Sequence, residues 1–477
     1  MVATPDRHFT SRPPARMLRS MTRSFDNIVI GSGQAGPFLA DRLVRAGQTV
    51  ALIEREHLGG TCVNDGCIPT KTLVASARVA HLARRAADYG VVLESPVRVD
   101  MAAVKARKDA VVQASVSSLT GWLESMERLT LIRGEARFEG PHEVSVGGER
   151  LTAPKIFINA GGRPVVPDWP GLDQVPYLTN TSMMAVDALP EHLIVVGGSY
   201  IGLEFAQMYR RFGSLVTVVE YADRLVARED PEISQAVRAM LEAEGIAVHT
   251  GARDFAARRQ GGGEGVLLSI AGREIAGSHL LLAIGRTPNT DGLNLGAAGV
   301  ETDKRGYIAV DDQLRTNVEG IWALGDINGK GAFTHTSYND FEIVAANLLD
   351  DDPRRVSDRI PCYALFTDPP LGRVGMTEAE VRASGRPALV GTLPMTRVGR
   401  AKERGETTGF MKVLVDAETK RILGAALLCI EGDEIVHSLL DVMAADAPYT
   451  VIQRAVHIHP TVSELIPTLL GQMKPLE

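Results

Sequence analysis

One arrangement occurs twice in this chain, and it leaves few folds open. Phe25–Ile30 is a short apolar run, followed by Gly31-Ser32-Gly33-Gln34-Ala35-Gly36, a helical run to Ala46, and the apolar run Thr49–Ile53 ending on Glu54. Leu193–Val196 leads in the same way to Gly197-Gly198-Ser199-Tyr200-Ile201-Gly202. A helical run to Phe212 and the apolar run Val216–Val219 follow, ending on Glu220. Each acid lies 23 residues after the first glycine. Such a strand–helix–strand unit lets glycines bring backbone close to a pyrophosphate at a helix N-terminus, and the acid accepts ribose hydroxyls. A lone glycine triad says little. Here strand, helix and acid are each in place, twice. The fold class is therefore α/β, with two Rossmann-like dinucleotide-binding domains. Candidate cofactor contacts are Gly31, Gly33, Gly36 and Glu54 in the first unit, and Gly197, Gly198, Gly202 and Glu220 in the second. Ser199 replaces the second unit's middle glycine and brings a Cβ toward the pyrophosphate. Pro37 sits in the first helical turn, where a proline is tolerated.

The chain's 477 residues exceed one simple core, so two to four domains are expected. A net charge of −7 argues against nucleic acid as a partner. No run of about 18 apolar residues suggests a membrane span. Four cysteines are too few for a disulfide scaffold, and a cytoplasmic setting fits best. Residues 1–24 carry five arginines and one acid, without the apolar core of a secretory signal. We expect a disordered extension there, in preference to an organelle leader. Met17 and Met21 are rival starts.

Two of the four cysteines, Cys62 and Cys67, fall in Gly59-Gly60-Thr61-Cys62-Val63-Asn64-Asp65-Gly66-Cys67-Ile68-Pro69-Thr70-Lys71. A C-x4-C pair alone fits plain thiols or half a zinc site. His57 and His81 lie nearby, but no second ligand pair follows, so no metal is expected. The setting favours a redox pair. The stretch follows a dinucleotide-binding unit and precedes a helical run, Lys71–Ala87. On an ideal helix, residues five apart have Cα atoms about 8.7 Å apart, whereas a disulfide needs less than about 7 Å. A bonded pair would require a distorted helix start, and Gly66 can supply the unusual dihedrals. A bond closed under such constraint is reducible.

At these residues the sequence resembles the flavin-dependent pyridine nucleotide-disulfide oxidoreductases. That family includes lipoamide dehydrogenase, glutathione reductase and mercuric reductase, and the likeness runs from about Phe25 to Pro467. The resemblance implies FAD in the first unit and NADH in the second, with NADPH as the alternative donor. It implies five segments: the extension 1–24, the first part of an FAD-binding domain at 25–160, an NAD(P)H-binding domain at 161–285, the returning FAD-binding part at 286–352, and an α+β dimerisation domain at 353–477. Gly325-Asp326 looks like the family's second FAD motif, with Asp326 on the ribityl chain. Gly60, Thr61, Gly161 and Gly285 join the cofactor contacts. Lys71 and Glu204 match a pair that the family sets beside the flavin ring, where the lysine stabilises negative charge. Glu220 accepts the ribose hydroxyls of NADH and repels a 2′-phosphate. Arg224 and Arg228 read as surface charges.

Near the C-terminus, His457-Ile458-His459-Pro460-Thr461-Val462-Ser463-Glu464 resembles the family's acid/base pair. His459 would serve the dithiol of the partner subunit and Glu464 would orient its ring, which implies a homodimer. Electrons would pass from NADH through FAD to a Cys62–Cys67 disulfide, with Cys67 on the flavin side and Cys62 as the thiol that attacks a small disulfide substrate. His459 would protonate the leaving thiol. Cys362 and Cys429 have no partner in sequence and read as buried thiols.

The substrate is less constrained. Asp41, near where glutathione reductases carry a basic residue, disfavours glutathione disulfide. The C-terminus lacks the cysteine pair of mercuric reductases. Pro69-Thr70-Lys71-Thr72-Leu73, Lys155–Asn159 and Arg373–Glu378 look most like the bacterial reactive-chlorine-resistance flavoproteins and the mercuric-reductase-like group. Asp65, where the family has an apolar residue, would disfavour anionic substrates and favour a cationic or zwitterionic one; the alternative is a side chain turned to solvent. Rival readings are a copper-type metal-ion reductase, a quinone reductase or NADH oxidase in oxidative defence, and a lipoamide dehydrogenase working in a multienzyme complex.

Overall fold

In the computed structural model, residues 22–261, 263 and 265–477 are described. The expected extension lies outside them except for its end. Thr22–Ser24 is a strand with exposed side chains that pairs with Arg150–Thr152, so those three residues are not disordered. Pairing of their backbone to a neighbouring strand holds them without a buried face.

The first unit forms as expected. Asn27–Ile30 and Val50–Glu54 are parallel neighbours, joined through helix Gly36–Arg45. Every residue of both strands is buried, as in a sheet covered on both faces. The sheet has five strands in the order 321–323, 155–158, 27–30, 50–54, 129–133. Its members therefore come from both sides of the second unit. The chain leaves and re-enters through a short antiparallel ladder, Gly162–Pro164 against Arg286–Pro288.

The second unit is a four-stranded parallel sheet in the order 247–249, 215–219, 192–196, 279–282, with helix Tyr200–Phe212 as its first crossover. Helix Pro231–Ala243 follows, with Asp230 at its N-cap position. The Asp230 side chain does not cap that helix. It accepts from the backbone N–H of Glu378 at 2.9 Å and from Lys412 Nζ at 3.2 Å.

Lys412 belongs to the C-terminal sheet of six antiparallel strands. Phe410–Asp416 and Ile422–Leu428 form an antiparallel hairpin within it. Its strands are buried on both faces rather than alternately. One face packs on apolar residues such as Leu439, Ile466 and Leu470. On the other, Lys412 and Arg373, only 2% and 1% exposed, meet Asp230 of the second unit. Buried charges of this kind must be paired, and here the pairing docks one domain on another.

Candidate active site

The predicted residues converge. Of the nineteen singled out above, all but Gly36, Gly202, His459 and Glu464 line one cleft of about 2950 Å³. Gly36 and Gly202 lie behind its wall. A Cβ on either would overlap the carbonyl oxygen of its unit's first glycine, so both allow helix and strand to pack closely.

The two acids do the same local work. Glu54 accepts from the backbone N–H and hydroxyl of Ser32, at 3.0 and 2.6 Å, and from Glu56 N–H at 2.8 Å. Glu220 accepts from Gly198 N–H and, at 2.6 Å, from Ala222 N–H. Gly31 and Gly197 have φ of +100° and +123°, a region closed to most side chains. Arg228 is exposed and lies at the cleft wall. Arg224 donates to the carbonyls of Ala227 and Glu229.

The cysteine stretch breaks as the spacing demands. Helix Gly60–Asn64 ends, Asp65 and Gly66 leave the helical region, and helix Cys67–Arg84 begins. A Cβ on Gly66 would lie 2.7 Å from Thr61 O. The break sets the two cysteines close enough to influence each other's ionisation, as separate thiols. Their protonation is unequal. The hydrogen bond from Cys62, helped by Thr334 and Lys71 and opposed by burial, pulls Cys67 down to about 6. Contact with Cys67, then burial, pushes the Cys62 thiol up. Of the two, Cys67 is the one whose surroundings favour the thiolate. Asp65 is not turned to solvent: its carboxylate accepts from the Thr181 hydroxyl, and its carbonyl accepts from Asn180 Nδ2 at 3.1 Å.

Lys71, one turn beyond Cys67, places Nζ 2.8 Å from Glu204 Oε2. Glu204 is 4% exposed, and its other oxygen accepts from Phe366 N–H at 3.0 Å. Asp326 lies across the cleft on the turn Gly325–Asn328. Asp340 holds that turn by accepting from Gly325 N–H at 2.8 Å and Asn328 Nδ2 at 2.9 Å. Burial pushes the Asp326 carboxyl up, with Arg286, at 3.7 Å, and its own backbone N–H pulling it back. A carboxylate aimed into a cleft, the Gly31 cradle and the Lys71–Glu204 pair suit an FAD molecule, whose hydroxyls, pyrophosphate and ring each find a matching group. Gly161 and Gly285, at φ +64° and +130°, line the cleft where the two domains join.

His459 and Glu464 pair with each other, Nδ1 to Oε2 at 3.0 Å, with the His459 side chain 81% exposed. They stand apart from the cleft of their own chain. Val456 and Ile458 beside them are 100% and 80% exposed. Cys429 is buried as expected, but Cys362 is half-buried and lines the cleft.

Several site residues escaped the sequence reading. Asn159 accepts from Gly36 N–H at 3.1 Å and donates to Leu324 O at 2.8 Å, sealing the first glycine loop. A polar residue ending the apolar run 155–158 was its one sequence signal. Arg286 links Thr61, at 3.2 Å, to Asp326. Tyr200 lines the cleft on the same helix face as Glu204, edge-on to Phe333 and Tyr363. Thr334 reaches Cys67 from a distant helix.

Comparison with known proteins agrees with this geometry. Residues 25–340 match the pyridine nucleotide-disulphide oxidoreductase family, and residues 362–470 match the dimerisation domain of pyridine nucleotide-disulphide oxidoreductases. The chain is 37% identical over 459 residues to the probable pyridine nucleotide-disulfide oxidoreductase RclA of Escherichia coli, covering 94% of this chain and 99% of that one. It is 35% identical to a mercuric reductase of Streptomyces lividans, over 94% and 96% of the two chains. A solved structure described as the Cu(II) complex of the HOCl-induced flavoprotein disulfide reductase RclA from Escherichia coli superposes with a TM-score of 0.87. It is 36% identical and covers 94% of this chain and 99% of that one. No described helix is long and apolar enough to cross a membrane. Fold, cleft and relatives together place the chain in the pyridine nucleotide-disulphide oxidoreductases, a family of FAD-dependent enzymes that take electrons from NAD(P)H.

Proposed function

We propose that this chain is an NADH-dependent disulfide reductase that acts as a homodimer on a small disulfide. The observation that carries the reading is the unequal dithiol. Cys62 and Cys67 face a cleft shared by both nucleotide loops, and their surroundings lower Cys67 and raise Cys62. FAD, when bound, supplies the two-electron link between nicotinamide and dithiol. Lys71, fixed by Glu204, offers positive charge beside that link. The partner subunit's His459 takes the Cys62 proton as Cys62 attacks one sulfur of the substrate; a Cys62–substrate bond forms, the substrate S–S bond breaks and a thiolate leaves. The partner subunit's His459, oriented by Glu464, protonates it. Cys67 then attacks Cys62 Sγ, releasing the second thiolate and closing the Cys62–Cys67 bond. The exposed His459 and the apolar residues around it support the dimer, since neither serves its own cleft. The carboxylate of Glu220 supports NADH over NADPH.

The test is Cys62→Ser in the holoenzyme. FAD content should be unchanged and NADH-driven reduction of lipoamide or other small disulfides should fall at least about a thousandfold, since the attacking thiol is gone. Undiminished turnover would rule the assignment out. A second reading takes Cu(II) as the electron acceptor, because the structural relative above was solved with Cu(II). Copper reduction that survives Cys62→Ser while disulfide turnover does not would favour it.

A further inference from the structure

Cys67 opens helix Cys67–Arg84, and Thr334 opens helix Thr334–Leu349. The two helix starts meet, with Thr334 Oγ1 3.1 Å from Cys67 Sγ. Two residues on, Thr336 donates its hydroxyl to a backbone carbonyl, that of Phe333, at 2.7 Å. The Thr334 hydroxyl is instead aimed at sulfur.

We infer that Thr334 is a positioning residue of the dithiol, whose hydroxyl donates to Cys67 Sγ and so stabilises the thiolate form of Cys67. The inference rests on the reading of these cysteines as the redox pair. A donor to sulfur favours the charged form. The other groups around Cys67 leave it work to do. Cys62, from helix Gly60–Asn64, also stabilises the thiolate, but only while it keeps its proton. Lys71 helps, yet its charge is tied to Glu204 at 2.8 Å, and Glu204 itself opposes ionisation. Burial opposes it as well. Thr334 is the donor that neither titrates nor carries a neutralising partner. The start of its helix adds a partial positive charge on the same side.

The test uses the full-length, FAD-loaded protein, reduced with dithiothreitol and freed of it under anaerobic conditions. Iodoacetamide is applied across a pH series, and fragment-ion mass spectrometry separates alkylation at Cys67 from that at Cys62. In Thr334→Val the alkylation midpoint of Cys67 should rise by about one pH unit, a roughly tenfold loss of thiolate below the midpoint. Thr334→Ser should keep the wild-type midpoint. If the valine variant fails to bind flavin, Thr334→Ala gives the same readout. An unmoved midpoint in Thr334→Val or Thr334→Ala, or a serine variant displaced as far as they are, would overturn the inference. The readout needs no turnover. A shifted midpoint in an enzyme that reduces no disulfide would sustain the role of Thr334 and remove the functional reading; an unshifted midpoint with full disulfide turnover would do the reverse.

Discussion

The two glycine units share one sequence spacing and one local geometry, yet the rest of the chain treats them differently. In the first, Glu54 is 8% exposed and Ser32 fully buried, and Asn159 closes over the loop from a neighbouring strand. Its five-stranded sheet is assembled from segments up to the 321–323 strand. In the second, Glu220 is half-buried and the next residue, Tyr221, is 63% exposed. At the strand position where the first unit has Asn159, backing its first glycine, the second has Ala283, which offers no side-chain hydrogen bond. Equal spacing thus builds equal glycine turns, whereas distant residues close over only the first of them. On the proposed reading, we infer that the first unit retains its dinucleotide and the second exchanges it.

The comparison breaks most sharply at the last glycines. Gly36→Val forces a side chain into the carbonyl of Gly31 and should abolish flavin binding, read as loss of flavin absorbance in the purified protein. Gly202→Val makes the same clash with Gly197, but should leave flavin in place and raise KM for NADH at least about tenfold, or 1.4 kcal/mol. Equal flavin loss in both would erase the distinction. A smaller effect is expected at Glu220→Gln: KM for NADH about tenfold higher, the loss of one charged hydrogen bond, with KM for NADPH lowered. Unchanged discrimination would mean that Glu220 does not read the ribose. Smallest is Asn159→Ala. It leaves Gly36 N–H and Leu324 O without their partner, and should cost about 1–3 kcal/mol in chemical unfolding and hasten flavin release.

What the sequence disclosed was local. The strand–glycine–helix–acid units were legible because each is closed within about twenty-three residues, by steric demands only glycine meets. The need for a helix break between Cys62 and Cys67 followed from helix geometry, and Asp65 and Gly66 supply it. Partnerships across the fold were hidden. Thr334 is 267 residues from Cys67, and no local pattern points its hydroxyl at sulfur. Lys412, in the middle of a strand, is buried against Asp230 and Glu378, a partnership that no local pattern shows. The Asp230 carboxylate left its helix cap for the same reason: the docked domain offered a cation and a backbone donor. Cys362 looked like any buried thiol until the C-terminal sheet brought it to the cleft wall.

The central claim is that a Cys67 thiolate stands between FAD and Cys62. It is tested most directly by anaerobic titration of the holoenzyme with NADH, followed by absorbance. At the two-electron stage and pH 8, a long-wavelength charge-transfer band from thiolate against flavin is expected. Cys67 is held near 6, below the ordinary thiol value of 9.0, so the band should persist through neutral pH. It should fade as pH falls through about 6, where the sulfur takes up its proton. Direct bleaching of the flavin, with no such band at any pH, would place the cysteines off the electron path and contradict the account.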